Sequence, residues 1–144
     1  MILNMKKDQN QIDHYKIMEK KIINTKKSPA PIGPYNQAVL KGNTLFISGQ
    51  IALDAESMKL NNRSINDETH QVMKNLKNIL EEANMNFNDV VKSSIFLSDM
   101  SLFKEVNKIY GSYLTPGNEP ARETIAVKEL PMNVNVEISM IAII

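Results

Sequence analysis

The sequence predicts an α+β fold, a two-layer sandwich in which two helices cover one face of a mixed β-sheet. Two observations support this class. The predicted elements follow one another as strands, helix, strand, helix and two further strands, and each helix is amphipathic, so each can cover part of a single sheet. A chain of 144 residues is also long enough to form one domain with its own core.

The first elements are two strands separated by a long loop. The stretch KKIINT is a short strand candidate, and TLFISGQIAL (44–53) is predicted to be a well-buried strand, followed by the polar turn DAESMKLNNR. The segment between the strands, KKSPAPIGPYNQAVLKGN, is rich in proline and glycine, which exclude a helix. We therefore predict that this segment is a loop.

Caps and apolar periodicity define the two helices. Residues 64–84 open with a Ser-x-x-Asp cap, and their predicted inward face comprises Ile65, Thr69, Val72, Leu76, Ile79, Leu80 and Ala83. The second helix spans about 101–114 and stops at a Thr-Pro-Gly sequence. Its predicted inward residues are Leu102, Phe103, Val106, Ile109, Tyr110 and Tyr113.

Three more strands complete the predicted sheet: DVVKSSIFLSD (89–99), RETIAV (122–127) and VNVEISMIAII (134–144). Side chains alternate along the last strand, so that one face carries Val134, Val136, Ile138, Met140 and Ala142, and the other carries Asn135, Glu137, Ser139, Ile141 and Ile143. With helices on one side only, the second face would expose considerable apolar area. A second copy of the chain is the simplest cover for it.

Composition narrows the functional classes. A net charge of +1 does not favour nucleic acid as a partner, and the absence of cysteine excludes thiolate chemistry and Cys-based zinc sites. The two histidines form no ligand pattern, so we expect no metal, and no apolar run is long enough for a membrane span. Residues 1–19 have too short an apolar stretch for a secretory signal, and their acidic residues argue against a mitochondrial transit peptide. We interpret them as a polar extension of a domain at 20–144, with the cytoplasm as the default location and a mitochondrial or other organelle location as the alternative.

Arg122 is one of only two arginines in a lysine-rich chain, and it opens a β-branched run. Its planar guanidinium can hold a carboxylate with two parallel hydrogen bonds, which lysine cannot do. Strand parity places Ile125 and Val127 with the helix-covered core and Arg122 on the opposite face, the same face as Glu137. If the two last strands pair antiparallel, these side chains form either a structural ion pair or a polar pocket with an anion clamp and a water-activating carboxylate.

Five stretches together resemble the successive signatures of the RidA/YjgF family of reactive-intermediate deaminases, over roughly residues 20 to 144. They are GPYNQAV (33–39), ISGQIALD (47–54), VNKIY (106–110), PARETIAV (120–127) and VEISMIAI (136–143). The resemblance implies a chorismate-mutase-like fold that assembles as a homotrimer, with sheets facing inward, helices outside and active sites in clefts between subunits.

The same resemblance implies an activity, the hydrolysis of 2-imino acids to 2-oxo acids and ammonia without a cofactor. Arg122 then corresponds to the arginine that holds the substrate carboxylate, and Glu137 to the carboxylate that orients or activates water. Tyr35 corresponds to a tyrosine of the cleft. Gly49 corresponds to a loop whose backbone approaches the substrate.

Asn107 and Thr124 are further lining candidates by the same resemblance, Thr124 mainly through its backbone N–H. Structural alternatives stand beside these roles: an interface aromatic for Tyr35, a β-bulge for Gly49, a backbone-bonded Asn107 and a strand-forming Thr124. Glu119 departs from the family pattern, since many members carry an aromatic or apolar residue there.

Two other functions remain open at this point. One is a non-catalytic trimer that binds small carboxylates or acts as a chaperone or regulator, and the other is action on RNA. Retention of both Arg122 and Glu137 favours the enzyme, and the near-neutral charge argues against RNA.

Overall fold

A computed structural model describes residues 19–144, so that residues 1–18 of the predicted extension lie outside the described part. Residues 19–144 form one mixed six-stranded sheet and two α-helices, which is the predicted α+β class. The strands are β1 (Lys20–Ile23), β2 (Ala38–Lys41), β3 (Thr44–Gln50), β4 (Val90–Leu97), β5 (Ala121–Ala126) and β6 (Val136–Ile143). The helices are α1 (Ile65–Glu82) and α2 (Phe103–Ser112).

Strand β2 was missed by the sequence prediction, which assigned the whole of residues 26–43 to a loop. The prolines of this segment precede the strand, and the four residues Ala38–Lys41 pair antiparallel with both β1 and β3. Gly42, at a φ of 61°, and Asn43 form the tight connection to β3. Left-handed backbone is readily accessible to glycine, which explains why the hairpin closes here.

Helix α1 begins and packs as its sequence predicts. The Ser64 side chain accepts a hydrogen bond from the Asp67 backbone N–H, which satisfies one of the free donors of the first turn. Its apolar face packs against β3, β6 and α2, and Val72, Leu76, Ile79 and Leu80 are fully buried there. This face covers one side of the sheet.

The strand order differs from the predicted one, in which the two last strands are neighbours that pair antiparallel. The order is β1-β2-β3-β6-β4-β5, and β5 pairs parallel with β4, while β6 lies antiparallel between β3 and β4. The antiparallel pairing of β5 with β6 is therefore wrong. Helix α2 carries the chain from β4 back to the start of a neighbouring strand, and such a crossover produces a parallel pair.

The two faces of the sheet differ sharply in cover. Helix-covered positions include Ile95 and Leu97 of β4 and Val136, Ile138, Met140 and Ala142 of β6, all buried. The opposite, open face exposes Ile22, Phe46, Ile125 and Ile143, together with an ion pair between Lys92 and Glu123. The alternation predicted for the last strand is confirmed, and within one chain the apolar second face is bare.

Glu68 ties α1 to the start of β6. Its side chain is fully buried, and its carboxylate accepts hydrogen bonds from the backbone N–H groups of Asn135 (2.6 Å) and Val136 (3.3 Å) and from Asn135 Nδ2 (3.0 Å). Buried carboxylates persist in folded proteins when their oxygens are satisfied in this way. Glu68 thereby fixes the backbone immediately before Glu137.

Candidate functional site

Glu137 and Gly49 meet at an irregularity in the sheet. Ile47 pairs with Met140 and Gln50 with Ile138, so β3 has one more residue than β6 across this interval, which is a β-bulge at Ser48–Gly49. A Cβ atom at residue 49 would overlap the Glu137 carboxylate. Gly49 therefore sits in a bulge, and its lack of a side chain permits the close approach of the Glu137 carboxylate.

A cleft of about 330 Å³ opens beside this contact. It brings together three sequence-predicted residues, Tyr35, Gly49 and Glu137. The remaining lining is mainly apolar and comprises Pro29, Ala30, Ile32, Gln37, Ser48, Gln50, Ile51, Leu53 and Pro131. The Tyr35 ring is half-exposed, and its hydroxyl accepts a 3.3 Å hydrogen bond from the Ile32 N–H.

The Glu137 carboxylate is half-buried and accepts no hydrogen bond from any other residue within 19–144. Burial raises the pKa of Glu137 above its ordinary value, because removal from water disfavours the charged form. A raised pKa in a cleft is typical of a carboxyl group that exchanges protons with a ligand or water.

Two buried amide side chains shape the cleft, and the sequence analysis did not single them out. Gln37 Nε2 donates to the backbone carbonyls of Thr25, Ser28 and Pro29, and so orders the loop that forms one wall. Asn75 of α1 donates from Nδ2 to Ile51 O (3.1 Å) and Leu53 O (2.9 Å) on another wall.

A polar residue at a helix position otherwise buried among Val72, Leu76 and Ile79 was the available signal for Asn75. Such a residue usually satisfies a specific backbone group. Gln37 lies within the quoted stretch GPYNQAV but carries no separate signal.

Arg122 lies at a different place, on edge strand β5 against α2. Its Nη1 donates a 2.8 Å hydrogen bond to Asn107 Oδ1. Its guanidinium carbon lies 5.2 Å from the ring centre of Tyr110 and 5.6 Å from that of Phe103. Asn107 therefore bonds a side chain of the candidate site and not the backbone.

No carboxylate neutralises Arg122 in the part of the chain that the structure describes. The ion pairs within residues 19–144 are Lys77–Glu81 and Lys92–Glu123. Its charge is instead held by aromatic faces and one amide, which leaves other guanidinium N–H groups available to an external anion. The interpretation of Arg122 and Glu137 as a structural ion pair within one chain is wrong.

Thr124 follows Arg122 on the same face of β5. Register pairs Arg122 with Ser93 and Thr124 with Ile95, and both partners are buried under the helices. The Thr124 hydroxyl is buried without a hydrogen-bond partner among residues 19–144. A buried hydroxyl without a hydrogen-bond partner costs free energy.

Arg122 and Glu137 occupy opposite faces of the sheet, and the predicted shared face is wrong. Glu137 pairs with Phe96, whose other neighbour Ile125 is 47% exposed on the open face, whereas Arg122 faces the helices. Two strand spacings and three residues along the strands separate their Cα atoms, on the order of 14 Å. One chain thus carries two partial sites, a carboxylate cleft and an arginine cluster.

The assignment of Ile125 to the core caused this error in face. The apolar pair Ile125 and Val127 does not identify the buried side of an edge strand, because the helix above the strand decides it. Here Tyr110 and Phe103 of α2 take up the Arg122 side chain.

Glu119 bonds locally. Its Oε2 accepts a 2.9 Å hydrogen bond from the Gly117 N–H in the turn that precedes β5. Burial is the main cause of the raised pKa of Tyr110, and the charge of Glu119 adds to it.

Within residues 19–144 no group of three or more His, Asp or Glu side chains is placed to hold a metal ion. None of the helices in this range combines the length and apolar character needed to cross a membrane.

The chain matches a known protein family over most of its length. The family model described as Endoribonuclease L-PSP matches residues 25–144. The chain is 45% identical over 124 residues to the 2-iminobutanoate/2-iminopropanoate deaminase of Mus musculus, a match that covers 86% of this chain and 91% of the mouse protein.

A chloroplast relative and a solved structure agree with this match. Identity is 42% over 125 residues with Reactive Intermediate Deaminase A of Arabidopsis thaliana, covering 87% of this chain and 66% of that protein. The crystal structure of RidA from an Antarctic Psychrobacter species is similar with a TM-score of 0.82 at 40% identity, covering 86% and 99% of the two chains.

Proposed function

The chain belongs to the RidA/YjgF family, and from that premise we propose that it hydrolyses reactive 2-imino acids to 2-oxo acids and ammonia. One structural observation supports this activity in addition to family membership. The chain holds an arginine without a carboxylate partner among the described residues, and a half-buried carboxylate without a hydrogen bond in a cleft. The first suits the fixed charge of an imino acid, and the second suits the water that must attack it.

The two partial sites require a second subunit to become one. We propose a homotrimer whose open sheet faces are covered by neighbouring copies, so that Arg122 of one subunit completes the Glu137 cleft of the next. The bare apolar face and the separation of Arg122 from Glu137 both support this arrangement.

The chemistry needs one water, and both of its protons end on the nitrogen. The enamine first tautomerises to the imine; as water adds to C2, the Glu137 carboxylate takes one water proton and passes it to the imine nitrogen, which gives the carbinolamine. The remaining hydroxyl proton then moves through Glu137 to the amino group as the C–N bond breaks and the C=O bond forms, so that ammonia leaves a 2-oxo acid. Arg122 holds the substrate carboxylate throughout and so places C2 at a fixed distance from the water.

Arg122→Lys is expected to lower kcat/KM even in a folded trimer, because lysine supplies charge without the planar fork. Charge-assisted hydrogen bonds contribute about 1.5–3 kcal/mol each. Their loss corresponds to a decrease of roughly ten- to several-hundred-fold.

The test couples a serine/threonine dehydratase to this protein and follows capture of the released imine by semicarbazide. Wild type should suppress capture, whereas R122K and E137Q should not, provided that both are confirmed as folded trimers. Unchanged capture with wild type would reject deamination of these substrates. It would favour a trimer that only binds small carboxylates.

An RNA arm belongs in the same experiment, because the matching family model is described as an endoribonuclease. The net charge of +1 gives little electrostatic attraction for RNA. Cleavage of a single-stranded RNA by wild type, lost in R122K, would replace the deaminase proposal.

A further inference from the structure

We infer that Phe103 and Tyr110 are positioning residues that hold the Arg122 guanidinium in the plane needed to take a substrate carboxylate, an inference that rests on the proposed function. Helix periodicity predicts that both aromatic residues lie in the core, which is confirmed for the buried Tyr110 and wrong for Phe103. The structure places both of them against the arginine.

Helix spacing directs three side chains at one target. Phe103, Asn107 and Tyr110 stand at positions i, i+4 and i+7 of α2, which lie on one face of a helix. All three contact Arg122: Asn107 accepts from Nη1 at 2.8 Å, and the two rings lie 5.2 and 5.6 Å from the guanidinium carbon. A long side chain on an edge strand is thus held from a single rigid element.

Tyr110 is itself held in place. It is only 4% exposed, and its hydroxyl donates a 2.9 Å hydrogen bond to Ser93 Oγ, on the strand beside Arg122. The helix, both strands and the guanidinium therefore form one connected unit. A ring fixed in this way fixes the cation that rests on its face.

Phe103 gives the clearer evidence for a positioning role, because core packing does not explain why this ring lies where it does. It is 37% exposed at the first residue of α2, although phenylalanine is normally well buried. A guanidinium over its face gives the ring an electrostatic partner. With Nη1 taken by Asn107, the remaining N–H groups of Arg122 stay available for a carboxylate.

The test compares F103L, which removes the aromatic face, with F103Y, which keeps it. F87L is the matched control, since Phe87 packs edge-to-face on Tyr113. In F103L we expect the KM for imine and the Kd for 2-oxobutanoate to rise together by roughly three- to tenfold. The kcat is expected to change little, because the carboxylate is held equally in ground and transition states. F103Y should restore both constants to within about twofold of wild type.

A double-mutant cycle with R122K separates positioning from packing. If Phe103 acts through the guanidinium, F103L should add little in the R122K background. Equal losses in both backgrounds, equal losses in F103L and F103Y, or wild-type constants in F103L would each overturn the inference.

Calorimetric measurement of 2-oxobutanoate binding tests the positioning role of Phe103 independently of imine turnover. Binding by wild type that is weakened in F103L but not in F103Y, without imine turnover, would support the positioning role and reject the deaminase. No binding and no turnover would reject both.

Discussion

At the scale of single residues, the contact between Gly49 and Glu137 is the most constrained point of the cleft. A methyl group at residue 49 would occupy the space of the Glu137 carboxylate, so one of the two must move. We predict that G49A lowers kcat/KM by at least about tenfold, the loss expected when a catalytic group shifts by about 1 Å.

Gly111 supplies the matched control for this prediction. It lies in α2, and a Cβ there would meet no atom within 4 Å. G111A should keep full activity and gain about 0.5–1 kcal/mol of stability, because alanine favours the helix. Equal activity of G49A and wild type in the semicarbazide assay would show that the close approach has no catalytic role.

The pH dependence of activity follows from the burial of Glu137. Its pKa is raised above the ordinary value of 4.5, and the carboxylate is the form that accepts a proton from water. We therefore predict that kcat/KM falls on the acid side with a midpoint above 4.5. A midpoint at or below 4.5 would mean that the acid-side decrease in kcat/KM arises from the titration of another group.

The raised pKa of Glu137 also determines how the free energy of unfolding changes with pH. Because the folded-state pKa is raised, the contribution of Glu137 to stability is fully present below 4.5 and is lost as pH rises through the folded-state value. E137Q cannot ionise. The free energy of unfolding of E137Q should therefore exceed that of wild type increasingly as pH rises through this window, as urea titrations at several pH values would measure.

At the scale of elements, Glu68 joins α1 to β6 and is the point where loss of one side chain should be most damaging. E68A leaves the backbone N–H groups of Asn135 and Val136, the second of them buried, and one amide without their charged acceptor. We predict a loss of about 3–5 kcal/mol in the free energy of unfolding. E68Q retains a carbonyl acceptor and should lose less; denaturant titration of both variants checks the order.

The sequence predicts an element correctly where nearby residues in the chain determine it. It does not do so where contacts with other strands or helices determine the element. The Ser64 cap, the apolar face of α1 and the alternation of β6 all follow from spacing. Strand β2 is too short for its pattern to stand out from the prolines before it. The parallel pairing of β5 depends on where α2 returns the chain, which residues 122–127 do not encode.

The candidate site divides in the same way. Residue type and family resemblance make Arg122 and Glu137 candidates, and the resemblance alone adds Tyr35, Gly49, Asn107 and Thr124. Their division into two groups on opposite faces could not be found, because it depends on strand order. The aromatic contacts of Arg122 were hidden because helix periodicity assigns Phe103 and Tyr110 to the core.

At the scale of the whole molecule, the proposed trimer makes a prediction that a single-chain site does not. R122K and E137Q are each expected to be nearly inactive alone. In trimers mixed at random, about a quarter of the interfaces would pair an intact Arg122 with an intact Glu137 from the neighbour.

Joint unfolding and refolding of the two variants should therefore restore about a quarter of wild-type activity. Mixing without refolding is the control, because intact trimers have not exchanged subunits. If refolded mixtures stay as inactive as the separate variants, Arg122 and Glu137 do not act together across an interface.

The placement of Arg122 and Glu137 on opposite faces also has a kinetic consequence for dilute protein. In the proposed trimer, a chain that dissociates keeps both groups but cannot bring them together, so we predict that specific activity falls as the protein is diluted below its association range. A newly synthesised chain would be inactive until it assembles with other copies. At low concentration the reaction rate would therefore increase more than in proportion to the protein concentration.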